Sequence, residues 1–563
     1  MSDTIAMPWI DAYPQGIAWD AQFTPTPVTE IIDTAVANYG AKTCTNFLGK
    51  LTTYSELGRL VDEATAGLQD LGVTKGKKVG LFLPNCPTAI IYYYAILKAG
   101  GTVVNYNPLY TVEELEFQVR DSQTDIMITL DLKILFEKVE ALIVIGALNK
   151  AVVCHFPKLL PGLKSVLFKL AKGKELSKPH ASPVAAKLHI VEDVLRGKGG
   201  PRPDIDPAHD LAVLQYTGGT TGTPKGAMLT HANLHTNVEQ VLAWAPTMRA
   251  GDEKMLGVLP LFHVFAMTGV MNYGLALGCE IVIMPRFDLD GALKLIKDTK
   301  PTIMPGVPTI FNAMMNHPKV MAGNYDLSSL RLCLSGGAPL PLEVKREFER
   351  LTGCSLIEAY GLSETSPGAT FNPVDGLAKE GSIGQPLPGT IISIRDIEDP
   401  TTRMPLGENG EICIKGPQVM KGYWEKPEET ANVFIDDYLR TGDVGYMDED
   451  GFTFIVDRLK DLILCSGYNV YPRRIEEAIY AHPGVEEVTV IGIPDDYRGE
   501  APKAFVKMKN GESITTEELL KFLEVKISKI EMPSEIEFRD ELPKTMIGKL
   551  SKKELKQEEG TQA

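Results

Sequence analysis

Between residues 54 and 71 apolar side chains recur three and four positions apart, which predicts a helix over Tyr54–Leu71. Lys78–Leu83 (KVGLFL) is instead a short, nearly continuous apolar run, the pattern of a strand buried on both faces. Pro87–Lys98 reads as a second helix, stopped by Gly100-Gly101, and Thr102–Asn105 as a second strand. Thr111 and Glu114 form a capping box for a further helix, and Asp125–Leu130 is a third strand. The alternation resumes with Glu280–Met284 as strand, Leu289–Asp298 as helix, Thr302–Pro308 as strand and turn, and Arg331–Leu334 as strand. Strands alternating with helices imply mainly parallel sheets covered on both faces.

Past Arg458 the units become shorter. Pro472–Ala481 and Thr516–Ser528 read as helices, and Glu487–Ile493, Pro502–Met508 and Glu535–Arg539 as strands. The predicted fold is α/β: a large multi-sheet N-terminal domain, 1–457, with parallel sheets covered by helices, and a small mobile α+β C-terminal lid domain, 458–563.

One stretch breaks the pattern. Residues 158–178 carry six lysines (Lys158, Lys164, Lys169, Lys172, Lys174, Lys178) against one acid, Glu175, with Leu163, Val166, Leu167, Leu170 and Ala171 at helical spacing. Such a segment is either a membrane-surface helix or an ordinary surface helix with its stripe against the core. The pattern alone leaves both open.

Composition narrows the field. A chain of 563 residues with 44% hydrophobic and 23% charged residues is a multi-domain globular protein. Its net charge of −16 excludes a general nucleic-acid surface. Eight scattered cysteines without a C-x-x-C pair point to free thiols in a reducing compartment. The N-terminus lacks the basic and apolar regions of a signal peptide, no apolar run approaches the length of a membrane span, and EEGTQA at the C-terminus carries no lipidation or peroxisomal address. The expected location is cytoplasmic, with a peripheral position on the inner face of a membrane open through residues 158–178.

The chemistry concentrates in Tyr216–His231, YTGGTTGTPKGAMLTH. A buried strand, Asp210–Gln215, precedes it and a helix is expected to begin near Thr230. Glycines let a loop bring its N–H groups close to an anion, hydroxyls add donors, and Lys225 adds a compact charge. The fitting ligand is a polyphosphate. The Walker A pattern fails, because Lys225 is followed by Gly226 and has no adjacent Ser or Thr for magnesium. His231 and His235 stand four apart, but without a nearby third ligand or the glutamate of H-E-x-x-H a zinc protease site is excluded.

This loop, together with LIEAYGLSET (Leu356–Thr365), YLRTGDVGYMDEDGFTFIVDRLKD (Tyr438–Asp461) and LPKTMIGKLSKKEL (Leu542–Leu555), resembles the acyl-adenylate-forming, or AMP-binding, superfamily. That superfamily joins acyl- and aryl-CoA ligases, luciferases and peptide-synthetase adenylation domains. Within it the chain is most similar to bacterial long-chain fatty-acid–CoA ligases, over roughly Pro14 to Leu555. The resemblance implies that Thr217, Gly218, Gly219, Thr220, Thr221, Gly222 and Lys225 hold ATP phosphates. It places adenine against Gly337 and Ala338 in the segment Ser335–Pro339, with Tyr360 stacking on the base and Gly361 and Ser363 beside it. Asp443 is expected to grip the ribose hydroxyls, Arg458 to lie near ribose and phosphates, and Thr217 with Glu364 to hold Mg2+. His263 and Gly306 fall in segments that line the acyl pocket. Lys460 falls at the hinge, and Ser466 and Gly467 in the pantetheine channel.

The catalytic set implied by the resemblance is Lys549, Lys225 and Glu364, with ATP and CoA as co-substrates, a fatty acid as the acid and pairing into a homodimer open. Locally Lys549 is one of five lysines between Lys544 and Lys556, and its spacing after P-K-T singles it out. Tyr438 and Arg440 stand where the long-chain signature usually has tryptophan and histidine, which leaves acyl length open. The alternatives are an aryl- or medium-chain ligase, a fatty-acyl-AMP ligase, a carrier-protein adenylation domain or, in another class, a catalytically silent fatty-acid-binding or membrane-recruitment protein.

Overall fold

A computed structural model describes residues 7–217, 224–376, 378–466, 468–495, 497–545 and 548–560. Two large sheets carry the α/β part. The seven-stranded sheet runs, edge to edge, Leu188–Ile190, Lys150–Cys154, Ile126–Leu130, Lys78–Leu81, Thr102–Asn105, Leu211–Thr217 and Lys225–Thr230. All neighbours in it are parallel except the last pair. The nine-stranded sheet has parallel strands at its centre and antiparallel strands at both edges, Lys50–Thr53 on one side and Gly368–Phe371 with Gln385–Pro386 on the other.

The helix Pro87–Lys98 lies in the core, and all of its residues are buried. A helix apolar all round has no solvent face to present. Its one charge, the Lys98 ammonium, is paired with Asp33 and Asp62, both at 2.7 Å, so burial leaves no cation unmatched. Tyr94 donates to Asn272 at 2.8 Å, tying this helix to a segment that packs on the other sheet. The predicted capping box is present, with Thr111 and Glu114 satisfying each other's backbone N–H.

A third sheet, antiparallel throughout, joins Ile391–Arg395, Gly410–Lys415, Phe434–Ile435, Tyr438–Met447 and Thr453–Arg458. The parallel sheets expected for the whole large domain therefore end before residue 391. Here the connections return the chain antiparallel, even the segment 416–433 that carries the short helix Pro427–Val433. Trp9 is fully buried in this third core.

Beyond Ile463 a separate sheet with its own hydrophobic core, including Ile475, Ile479, Val490 and Leu519, forms the small α+β domain. All eight cysteines are buried with free thiols. Among the described residues no helix is long and apolar enough to cross a membrane.

Candidate active site

The stretch rich in Gly and Thr joins two antiparallel strands. Leu211–Thr217 pairs with Lys225–Thr230, and Thr217 stands opposite Lys225 at the end next to the connecting loop. The expected helix, His231–Trp244, does follow, capped by Thr230 and Asn233, but only after this second strand. The loop is therefore not followed directly by a helix N-terminus, unlike a Walker loop. Gly218, Gly219, Thr220, Thr221 and Gly222 lie outside the described residues.

The segment 420–424 runs beside the hairpin's outer strand: Met228 N–H donates to Gly422 O at 2.9 Å and Trp424 N–H to Gly226 O at 2.8 Å. This pairing carries Tyr423 to the loop end of the hairpin, where its hydroxyl donates to Glu364 at 2.7 Å and its ring lies 5.2 Å from the Lys225 ammonium. Tyr423 thus joins the two charged groups that the motifs singled out. Its position depends on a long-range pairing that no local motif announces. Ser363 and Glu364 lie in a short 3-10 turn, Ser363–Thr365, after the strand Ser355–Gly361. Gly361 is required there, because a Cβ would sit 1.7 Å from the Pro367 carbonyl oxygen.

A second cluster is built from strand ends. Tyr360 donates its hydroxyl to Asp443 at 2.7 Å, and Arg458 Nε donates to the other oxygen of Asp443 at 2.6 Å. Asp443 and Arg458 are direct partners across antiparallel strands, so the ion pair follows from register alone. Asp443 is buried, and the Arg458 charge beside it makes that burial tolerable. Gly337, at the end of Leu332–Gly336, takes φ +81°, and Ala338 follows at the rim of a cavity between the two domains.

Lys549 reaches this side from the small domain. A Cβ on Gly337 would lie 2.7 Å from Lys549 Cε, so the lysine stem lies directly over the glycine. The lid is held there by Thr309, which donates to Gly548 O at 2.6 Å, and by Asn312, which donates to Glu486 O at 2.9 Å. Burial, then the Arg458 charge, pushes Lys549 down to about 8 against the pull of Asp443. Lys460 is pushed down to about 8 by the same two causes. It sits in the turn Leu459–Asp461 where the chain passes into the small domain.

His263 is enclosed nearby, held neutral by burial and the Lys549 charge at a value of about 3, and its Nδ1 accepts from Phe265 N–H at 3.3 Å. It can line the site but not exchange protons near neutrality. Gly306 ends the strand Ile303–Gly306 and faces Phe311, whose ring would meet a Cβ at 2.8 Å. A narrow apolar cavity of about 10 Å³, the size of one water, lies beside the 261–262 segment, lined by Leu81, Leu83, Tyr93, Phe262 and Met271 with Asn105. Ser466 takes φ +53° in the turn between Ile463–Cys465 and Tyr468–Val470; Gly467 lies outside the described residues.

Other histidines serve structure. His231 accepts from Val28 N–H at 3.3 Å and is held near 4 by burial, and His235 faces Glu239. No cluster of three or more His, Cys, Asp or Glu side chains suited to a metal exists among the described residues.

The bonded Tyr360–Asp443–Arg458 cluster, the hairpin that carries Lys225 and the Lys549 side chain reaching over Gly337 from a second domain make up one site, and the chain belongs to the AMP-binding enzymes. The AMP-binding enzyme family matches residues 32–424, and its C-terminal domain matches 474–549. The chain is 45% identical over 555 residues to a long-chain-fatty-acid–CoA ligase of Bacillus subtilis (strain 168), covering 98% of both. It is 39% identical to the ligase of the same name from Yersinia pestis, again over 98% of both chains. Among solved structures, ATP-bound MatB from Rhodopseudomonas palustris superposes with a TM-score of 0.81 at 29% identity, over 95% of this chain and 99% of that one.

Proposed function

We propose that the protein is a long-chain fatty-acid–CoA ligase. It joins a fatty carboxylate to the α-phosphate of ATP with release of pyrophosphate, then transfers the acyl group to CoA with release of AMP. The observation that carries this reading is Lys549 of the small domain lying over Gly337, beside the Tyr360–Asp443–Arg458 cluster. A carboxylate and an α-phosphate meeting there bring negative charges together, and a lysine between them stabilises the charge that builds up in transfer. The choice of a long-chain acid is supported by the full-length relatives.

In the adenylation step Asp443 accepts from the ribose hydroxyls, Tyr360 lies against the base, and Lys225 with the hairpin holds the departing pyrophosphate. Carboxylate oxygen bonds to α-phosphorus as the bond to the β-phosphate bridging oxygen breaks. No side-chain nucleophile takes part; the residues position and neutralise.

Glu364 and the Thr217 hydroxyl fit a Mg2+ shared with phosphates, since that ion takes one or two carboxylates and fills its shell with substrate oxygens and water. Bound there, the ion would supply charge neutralisation for the leaving phosphates. Tyr423 keeps the Glu364 carboxylate pointed at that position.

For thioester formation the small domain, residues 458–563, turns about Lys460, withdraws Lys549 and brings the Ser466–Gly467 segment to the adenylate. Leu464, Tyr468 and Tyr497 of that domain are 58%, 67% and 93% exposed, as a face would be before it turns inward. The protein also makes a peripheral contact with the inner face of a membrane. The experiment is pyrophosphate release with ATP, Mg2+ and acids of graded length, with and without CoA; CoA-dependent turnover that peaks with long chains is the expected result.

The narrowness of the cavity beside Phe262 favours a second reading, an aryl- or medium-chain acid on the same mechanism. A peak for short or aromatic acids selects it. No release with any acid, from folded protein that binds ATP, rejects both.

A further inference from the structure

The helix Gly162–Lys172 is mounted with its apolar stripe outward. Leu163, Val166, Leu167 and Leu170, spaced three, one and three apart, fall on one face and are 74%, 56%, 54% and 80% exposed, and the helix contains no buried residue. The opposite face makes the attachment. Phe168 packs on Phe156 with ring centroids 5.0 Å apart, and Lys164 donates to Leu48 O at 2.7 Å. Leu51, 55% exposed, stands on that same neighbouring hairpin. A surface helix that serves only the fold turns its apolar stripe the other way.

The charge around the stripe decides what covers it. At 100° per residue Lys164 and Lys169 flank the stripe on either side. Lys169, Lys174 and Lys178 have no ion-pair partner among the described residues. Residues 158–178 hold six lysines and one glutamate in a chain of net charge −16, so the segment is complementary to an anionic surface and opposed to the rest of its own molecule. Exposed leucines flanked by lysines match the boundary between lipid headgroups and acyl chains.

The helix also has a defined place relative to the apolar cavity. It follows the C-terminal end of Lys150–Cys154, which is parallel to Ile126–Leu130, Lys78–Leu81 and Thr102–Asn105. Leu81, Leu83 and Asn105, at the C-terminal ends of two of those strands, line the cavity. Helix and cavity therefore share one edge of the sheet. We propose that Gly162–Lys172 lies in the interface of an anionic bilayer and turns this edge toward the lipid. The further step, that the edge faces the bilayer so as to receive an acyl chain dissolved in it, rests on the fatty-acid reading above.

The test is co-sedimentation of the intact protein with vesicles of phosphatidylcholine alone or mixed with phosphatidylglycerol, at low and high salt. Binding to the anionic vesicles is expected, at least tenfold weaker in the triple variant Leu163→Gln/Leu167→Gln/Leu170→Gln. A Lys169→Gln/Lys174→Gln variant should lose several-fold and show a flatter salt dependence. Circular dichroism should be unchanged in both, since these side chains are exposed. Wild-type protein that ignores anionic vesicles, or a triple variant that binds as well as wild type, overturns the proposal. So does a wild-type dimer that the triple variant converts to monomer, for then a second copy covers the stripe. Vesicle binding needs no turnover, so failure of the ligase reading would leave this result standing. If binding holds, only wild type should gain rate when the fatty acid is supplied within anionic vesicles.

Discussion

Tyr360 and Asp443 are bonded to each other in the large body, and Arg458, at the boundary between the domains, is held to Asp443 by strand pairing, whereas Lys549 comes from within the small domain, which is tied to the large body here by contacts such as Thr309 to Gly548 and Asn312 to Glu486. The proposed nucleoside grip is already assembled by strand register and hydrogen bonds. The lysine is delivered. Groups that serve both half-reactions can be fixed in one frame, and a group that serves only one is better carried on a part that can leave.

The sharpest way to break this contrast is Lys549→Ala. Adenylate formation, read as pyrophosphate release, should fall by a factor of ~100 to 1,000, as for loss of other transition-state charge contacts. Conversion of supplied acyl-adenylate to thioester should persist. Loss of both activities in folded protein would remove the distinction between fixed and delivered groups.

Asp443→Asn should act on both half-reactions, because the nucleotide is present in both. It removes the charge that holds Arg458 and the paired acceptors for ribose. A rise in the KM for ATP of about 10- to 100-fold is expected, the scale of a lost hydrogen bond to a charged group. An effect confined to adenylation would be the contrary result.

The pH profile sharpens the comparison further. Lys549 is charged below about 8 and loses its proton as pH rises through that value. The kcat/KM of adenylation should therefore fall about tenfold per unit above it, while thioester formation lacks this limb. Lys460 shares the value of about 8, so the control is Lys549→Arg, whose guanidinium stays charged. If the variant retains measurable activity and the same alkaline fall, Lys549 is not its source. His263, neutral down to about 3, adds no limb near neutrality.

The smallest effect is expected from Tyr423→Phe, which frees the Glu364 carboxylate without removing a charge. A loss of about three- to tenfold in adenylation, partly recovered at high Mg2+, is expected. No recovery would detach Tyr423 from the metal-binding reading.

Local patterns carried much of the architecture. Pro87–Lys98 and Thr102–Asn105 have the bounds that their patterns predict, because an apolar run ended by glycines has few alternatives. The strand Lys225–Thr230 was hidden by its shortness and by the loop that it closes. The outward mounting of Gly162–Lys172 was undecidable from spacing, since an amphipathic stripe reads the same whichever side faces the core. Tyr423 could not be found locally, because its place is set by the pairing of residues some two hundred apart. Asp443 and Arg458 were named through motif resemblance, and their direct pairing became visible only with strand register.

That register has a mechanical meaning. Arg458, opposite Asp443, is the last residue of its strand, and Lys460 comes two residues later, in the turn proposed as pivot. The pair proposed to contact the ribose and the proposed axle of the lid are thus neighbours on one piece of chain. A nucleotide pulling on Asp443 would shift Arg458, and the displacement would reach the turn without crossing another element. With Lys460 as axle, occupancy and lid angle would be geared together, and release of AMP would itself reset the enzyme for the next acid.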